Sequence, residues 1–223
     1  MAQYDQIASV GRQSTLATNK VLKNTYMLLS MTLVFSAVTA LVAMAVGISP
    51  MVSMIMMFSA IGIIWFVLPR TYESSMGIVW TFVFTGLLGA SLGPMLTYYL
   101  AMPSGPAIVA QALGGTAIVT FALSFYALAT KKDFSFLMGF LMVGMVVIVA
   151  AIIANIFLSI PALSIAISAA VVLIMSLMIL FDTSRIVNGG ETNYIRATTN
   201  LYMDIYNLFI HLLSLVAALT GND

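Results

Sequence analysis

The stretch Phe134 to Leu158, FSFLMGFLMVGMVVIVAAIIANIFL, runs for 25 positions without a charged residue. A helix needs about 20 apolar residues to cross a bilayer core of roughly 30 Å, so this run is long enough to span one. It shows none of the alternation, in segments of about ten residues, that marks the strands of a membrane barrel. Comparable runs flank it on both sides: 25–46, 49–69, 76–100, 107–129, 161–182 and 194–219, broken by Gly47, Pro50, the Pro103 to Pro106 segment, Asn155 and Pro161. The pattern predicts an all-α membrane protein, a bundle of seven transmembrane helices.

Composition agrees. The chain has 223 residues, 62% of them apolar, with 8 Lys and Arg and 7 Asp and Glu. An average soluble domain is about a quarter charged. Seven spans use roughly 140 residues, which leaves no room for a second, soluble domain. One membrane domain, 24–223, therefore follows a polar cytosolic tail, 1–23. The tail has no apolar core with a small-residue cleavage site and is not a signal peptide. Its first 20 residues hold too little apolar surface to pack and are expected to be disordered. The absence of cysteine excludes a disulfide framework and thiolate metal sites, and a net charge of +1 gives no footprint for nucleic acid.

Lys and Arg near span ends stay on the cytoplasmic side. Arg12, Lys20 and Lys23 precede span one, Arg70 follows span two, Lys131 and Lys132 lie between four and five, and Arg185 and Arg196 bracket the connection from six to seven. All eight basic residues thus sort to one side, which puts the N-terminus in the cytoplasm and the C-terminus, Gly221 to Asp223, outside. The seventh run is the least secure span, because its polar residues would also suit a segment that dips in and returns.

Those polar residues form a pattern. Arg196, Asn200, Asp204, Asn207, His211 and Ser214 recur at steps of four and three, on one face of a helix. Small polar groups there supply interhelical hydrogen bonds, and a neutral His211 bonded across helices is the plain reading of that ring. An ionisable Asp204 inside a span is instead a functional-site candidate. Asp182 closes the sixth run. Two carboxyls brought together in low dielectric do not both ionise cheaply and would share a proton. Arg70, at the inner end of span two, is the available counter-charge, and the three make a proton-sensitive latch. The alternative is an interfacial Asp182 paired to Arg185. Gly86, Gly89, Gly93, Ala110 and Gly114 are small residues that let helices approach closely, and Pro94 is expected to kink span three. The 17 Met residues fill gaps, while Gln111 and Asn155 carry no specific message. No HExxH, GxSxG or P-loop is present. Asp182 and Asp204 lack the glycine flanks of presenilin-type proteases, so the chain is not read as an enzyme.

The run Gly189-Gly190-Glu191-Thr192-Asn193-Tyr194-Ile195-Arg196-Ala197, continuing through Leu201-Tyr202-Met203-Asp204-Ile205-Tyr206-Asn207, resembles the C-terminal signature of the Bax inhibitor (transmembrane Bax inhibitor motif) family. Lys131-Lys132-Asp133-Phe134-Ser135-Phe136, Leu113-Gly114-Gly115-Thr116, Asn155-Ile156-Phe157 and Phe181-Asp182-Thr183 support the match over nearly the whole chain. Val21-Leu22-Lys23-Asn24-Thr25-Tyr26 is similar to the proteobacterial YccA branch. The resemblance implies a seven-helix inner-membrane bundle around a central polar last helix, with Asp182, Asp204 and Arg70 as pH sensor and gate. It implies two functions. One is modulation of the membrane AAA protease FtsH, with the tail as a handle for the unfoldase. The other is a pH-sensitive calcium or cation leak, in which Asp182 and Asp204 would be weak calcium ligands and Ca²⁺ the transported ion. No resident cofactor is implied.

Overall fold

A computed structural model describes the backbone of residues 2–220 and the side chains of residues 16–220. The C-terminal residues 221–223, expected outside, and the side chains of Asp5 and Arg12 lie beyond those described. The chain forms seven long helices: α1 Ala2–Val46, α2 Pro50–Thr71, α3 Met76–Leu100, α4 Gly105–Thr130, α5 Leu137–Leu158, α6 Pro161–Val187 and α7 Tyr194–Thr220. All seven are long and apolar enough to cross a membrane, α1 through its Leu16–Val46 part.

Local chemistry sets the ends. Pro50, Pro106 and Pro161 stand in the first turns of α2, α4 and α6, where a missing N–H costs nothing. α1 stops at Gly47, with φ +70°. α6 stops at Gly189, with φ +75°, where Gly190 N donates to Arg185 O (2.8 Å) and Gly189 N to Ile186 O (3.2 Å), the paired bonds of a Schellman cap. Asn155 proves to be a linker: its Oδ1 accepts from Ile160 N (3.0 Å) and its Nδ2 donates to Ser164 Oγ (2.7 Å), binding the turn between α5 and α6.

The break expected from Pro94 falls at Leu92, between the helical segments Met76–Ser91 and Gly93–Leu100. Ser53 of α2 donates to the Ser91 carbonyl there (2.5 Å), so a hydroxyl from a neighbouring helix satisfies a group that lipid would leave bare. α2 has its own irregularity, a wide turn over Ile63–Val67 just before Pro69, which absorbs the proline within the helix.

α7 is the centre. It packs against α1, α3, α4 and α6 and is unbroken for 27 residues, or about 40 Å, long enough to cross the bilayer core and without the break that a segment dipping in and returning would need. α5 packs on α6, and α2 chiefly on α3; both leave most of their side chains to lipid. Gly89 and Gly93 bring α3 onto α1: a Cβ at Gly89 would strike Ser36 O, and one at Gly93 would come within 2.9 Å of Ala43 Cβ. Gly114 differs from the expectation. It has open space around it, and both it and Ala110 are exposed, because that face of α4 points away from the bundle.

The tail also corrects an expectation, since α1 is helical from Ala2 rather than disordered to residue 20. Residues 2–20 contain no proline, and a helix already nucleated in the span extends into them without a second nucleation cost.

Candidate functional site

The connections from α2 to α3, α4 to α5 and α6 to α7 meet at one end of the bundle and are laced together. Asn193 Nδ2 donates to Tyr72 O (2.9 Å) and to Glu73 Oε1 (3.0 Å), while its Oδ1 caps α7 by accepting from Ile195 N (2.9 Å) and Arg196 N (3.0 Å). Ser184 Oγ donates to Lys132 O (2.9 Å) and accepts from Phe134 N (3.1 Å), and Asn188 Nδ2 reaches Lys132 O (3.2 Å). Arg70, Lys131, Lys132, Arg185 and Arg196 all stand on or beside these connections, so the loops that the charge pattern groups on one side are joined in space. In the exposed loop after Lys132, hydrogen bonds from Ser135 Oγ (2.6 Å) and then Ser135 N (2.8 Å) hold the Asp133 carboxyl below the usual carboxylate range.

Asp182 and Asp204 lie just inside this end and are buried, each 5% exposed. α6 carries the first and α7 the second, and their carboxyls face each other within hydrogen-bonding reach. Asp182 Oδ2 and Asp204 Oδ2 receive no hydrogen bond from any other group among the described residues. The structure therefore brings together the two carboxyls that the sequence separates by 22 positions.

It does not bring Arg70 to them. Arg70 is exposed on the last turn of α2, and its guanidinium donates back to Phe66 O. The cation beside the pair is Arg185, at 4.0 Å from Asp182. Arg185 also faces Glu191 at 3.8 Å, and Glu191 faces Arg196 at 3.8 Å. The result is an alternating chain of charge, Asp182, Arg185, Glu191, Arg196, leading from the buried pair to the surface. Glu191 is as buried as the pair, with Oε1 bonded by Asn193 N (2.9 Å). At the outer end Arg196 covers the Tyr72 ring at 5.2 Å; burial raises the Tyr72 phenol pKa, and the guanidinium works against that rise.

The rest of the α7 stripe is divided among neighbours. Asn200 is half-buried, and Asn207 Nδ2 turns back to Met203 O (2.8 Å). His211 Nδ1 pairs with Ser168 Oγ of α6 (3.2 Å), and Ser214 Oγ meets Tyr99 OH of α3 (3.4 Å). The described residues contain no group of three or more His, Cys, Asp or Glu placed to hold a metal.

Sequence reasoning missed two features. Glu191 drew no attention because an acid in a loop reads as solvated; its signal was its place between two arginines. The second is another face of α7, where Thr198, Tyr202 and Tyr206 recur every four residues. Thr198 Oγ1 donates to Thr25 O (3.2 Å), Tyr202 OH pairs with Ser36 (2.6 Å), and Tyr206 OH pairs with Ser91 (3.1 Å). These hydroxyls seal α7 against α1 and α3.

Residues 18–221 match the protein family described as "Inhibitor of apoptosis-promoting Bax1". An uncharacterized membrane protein of Vibrio cholerae is 54% identical over 211 residues, 95% of each chain. The protein named "Modulator of FtsH protease YccA" in Escherichia coli K12 is 50% identical over 209 residues, 94% of each chain. Its counterpart in Escherichia coli O6:H1, with the same identity and coverage, is named "Inner membrane protein YccA". With its seven membrane-spanning helices and this extent of similarity, the chain belongs to the Bax inhibitor family and is a multi-pass protein of the inner membrane.

Proposed function

We propose that this chain modulates the membrane AAA protease FtsH, binding it in the bilayer and limiting its degradation of other membrane proteins, as a regulator and not an enzyme. One observation carries this reading: half of the residues are identical, over nearly the full length of both chains, to a protein named as a modulator of that protease. The basic end of the bundle, with its bonded loops and the helical extension of α1, is the surface available on the same side as a cytosolic unfoldase. The reading no longer rests on an unstructured tail. Its test is reconstitution of FtsH with and without this chain, following degradation of a third membrane protein. Slower degradation together with co-purification of the two is the expected result. Unchanged degradation and no co-purification would remove the reading.

A second reading is favoured by the facing Asp182 and Asp204 carboxyls. It is a slow, pH-sensitive leak for calcium, closed while the pair shares a proton, with Arg185 rather than Arg70 as the nearest counter-charge. Two carboxyls offer at most four oxygens, where Ca²⁺ takes about 6 to 8, so they suit an ion in passage better than one held in a cage. Calcium flux into proteoliposomes across a pH series tests it. Flux should depend on pH in the unaltered chain and lose that dependence in Asp182→Asn and Asp204→Asn. Absence of flux at every pH would dispose of the leak and leave the protease reading standing.

A further inference from the structure

The bundle is open between α1 and α4, which share no packed interface. A cleft of about 510 Å³ enters there, walled by Leu33 to Met44 of α1 and Val109 to Phe121 of α4, and closed behind by Tyr202 and Phe209 of α7. These stretches lie toward the end of α1 and the start of α4, so the cleft occupies the half of the bundle away from the basic loops. Its lining is almost wholly apolar. The hydroxyls on its floor are mostly engaged, Tyr202 with Ser36 (2.6 Å) and with Thr85 O (3.2 Å), and Tyr206 with Ser91 (3.1 Å). Thr120 Oγ1 lacks a partner, and a rotation would offer it the carbonyl one turn back on its own helix.

We propose that this cleft holds one acyl chain of a phospholipid from the leaflet opposite the basic loops. Three observations converge on that occupant. The cleft is continuous with the lipid-facing surface, since Leu41, Leu113 and Phe121 on its rim are all more than half exposed at bilayer depth. Its length fits: Leu33 to Met44 spans about 16 Å at about 1.5 Å per residue, and one leaflet of a roughly 30 Å hydrocarbon core is about 15 Å deep. Its volume fits as well. A single saturated chain about 5 Å wide, with neighbours in contact at about 4 Å, takes roughly 300 Å³ over that length.

The test uses the full chain in vesicles of phosphatidylethanolamine and phosphatidylglycerol, doped with phosphatidylcholine that carries a diazirine midway along one acyl chain. After irradiation the adducts are mapped. Ala40 and Phe209, 5% and 8% exposed, face the cleft, whereas Phe58 on α2 and Phe157 on α5 face ordinary surrounding lipid. Adducts are expected at both sets. Ala37→Trp and Ala117→Trp fill the cleft from opposite walls and should lower the Ala40 and Phe209 adducts about tenfold, the effect of one overpacked side chain, while leaving Phe157 labelling intact as the sign of a folded bundle. Ala117→Leu is the smaller filler if either tryptophan disturbs folding. Adducts confined to Phe58 and Phe157, cleft adducts that no filler reduces, or disulfide linkage of two copies through Ala37→Cys would overturn the proposal.

Discussion

Alanine substitution of Asp182 and Asp204, singly and together, measures whether the two carboxyls satisfy each other. Neither Oδ2 atom meets another donor among the described residues, but the two positions are not equivalent. Asp182 retains Arg185 at 4.0 Å when its partner is removed; among the described residues Asp204 has no charged neighbour except Asp182. A buried polar group stripped of its partner costs about 1 to 3 kcal/mol. Asp182→Ala, which orphans Asp204, belongs at the upper end of that range. Asp204→Ala belongs near about 1 kcal/mol. In the double variant no orphan remains, so it should be no less stable than Asp182→Ala alone, and the coupling between the positions should be at least about 1 kcal/mol. The isosteric Asp204→Asn keeps a donor facing Asp182 and should stay within about 0.5 kcal/mol of the unaltered chain. Equilibrium unfolding by sodium dodecyl sulfate in mixed micelles, followed by circular dichroism, supplies the four free energies. Effects that add to within about 0.5 kcal/mol would show that the carboxyls do not share their hydrogen bond, and the site as described would be wrong.

Glu191→Gln keeps the acceptor for Asn193 N but removes both ion pairs. Since Arg185 and Arg196 side chains are 34% and 47% exposed, screening holds the loss to about 1 kcal/mol in total, read in the same unfolding assay. Gly189→Ala places a side chain at φ +75° and should cost about 1 to 2 kcal/mol, with hydrogen exchange rising first at residues 186–191; unchanged exchange there would contradict the cap. Single cysteines at Ser74 and Asn188 should react only from the cytoplasm and one at Ser104 only from outside, and labelling of Ser104→Cys from the cytoplasm would invert the orientation.

The spans were legible because a hydrocarbon solvent imposes length and apolarity on each helix separately, with little dependence on its neighbours. The juxtaposition of Asp182 and Asp204 was legible for a related reason: a carboxyl inside a span has few ways to be accommodated, and the only two such residues lie on consecutive helices. Azimuth was not legible. Arg70 sits at the right depth to meet the pair, but nothing in a 22-residue apolar helix reports which way its last turn points. In the structure that turn faces outward, and Arg185, the partner in the alternative reading of Asp182, is the cation beside the pair. The same gap explains Gly114, whose spacing suits close packing and whose face meets only open space. Glu191 was hidden differently, since its burial is a property of three connections folding over one another, each unremarkable alone.

That fold-over joins the two functional readings to one set of residues. From the buried pair a line of ion pairs runs through Arg185 and Glu191 to Arg196, and Arg196 in turn rests on Tyr72 of the α2–α3 connection. A protein that bound the basic end and moved Arg196 would leave Glu191 with Arg185 as its remaining cation, and Glu191 would then draw Arg185 more strongly away from Asp182. Binding at the surface and proton sharing at the pair are then linked, and linkage is reciprocal: whatever factor the pair's protonation applies to the partner's affinity, the partner applies to the pair. Arg196→Gln cuts the chain at its exposed end without touching either carboxyl. If both proposed functions hold, Arg196→Gln should therefore alter the response to pH of calcium flux and of FtsH binding together, while Asn155→Ala, which loosens the opposite end of the bundle, should alter neither. Flux and binding that respond to pH independently of each other in Arg196→Gln would mean that the chain of charge transmits nothing, and that the pair and the protease surface are separate devices sharing one helix.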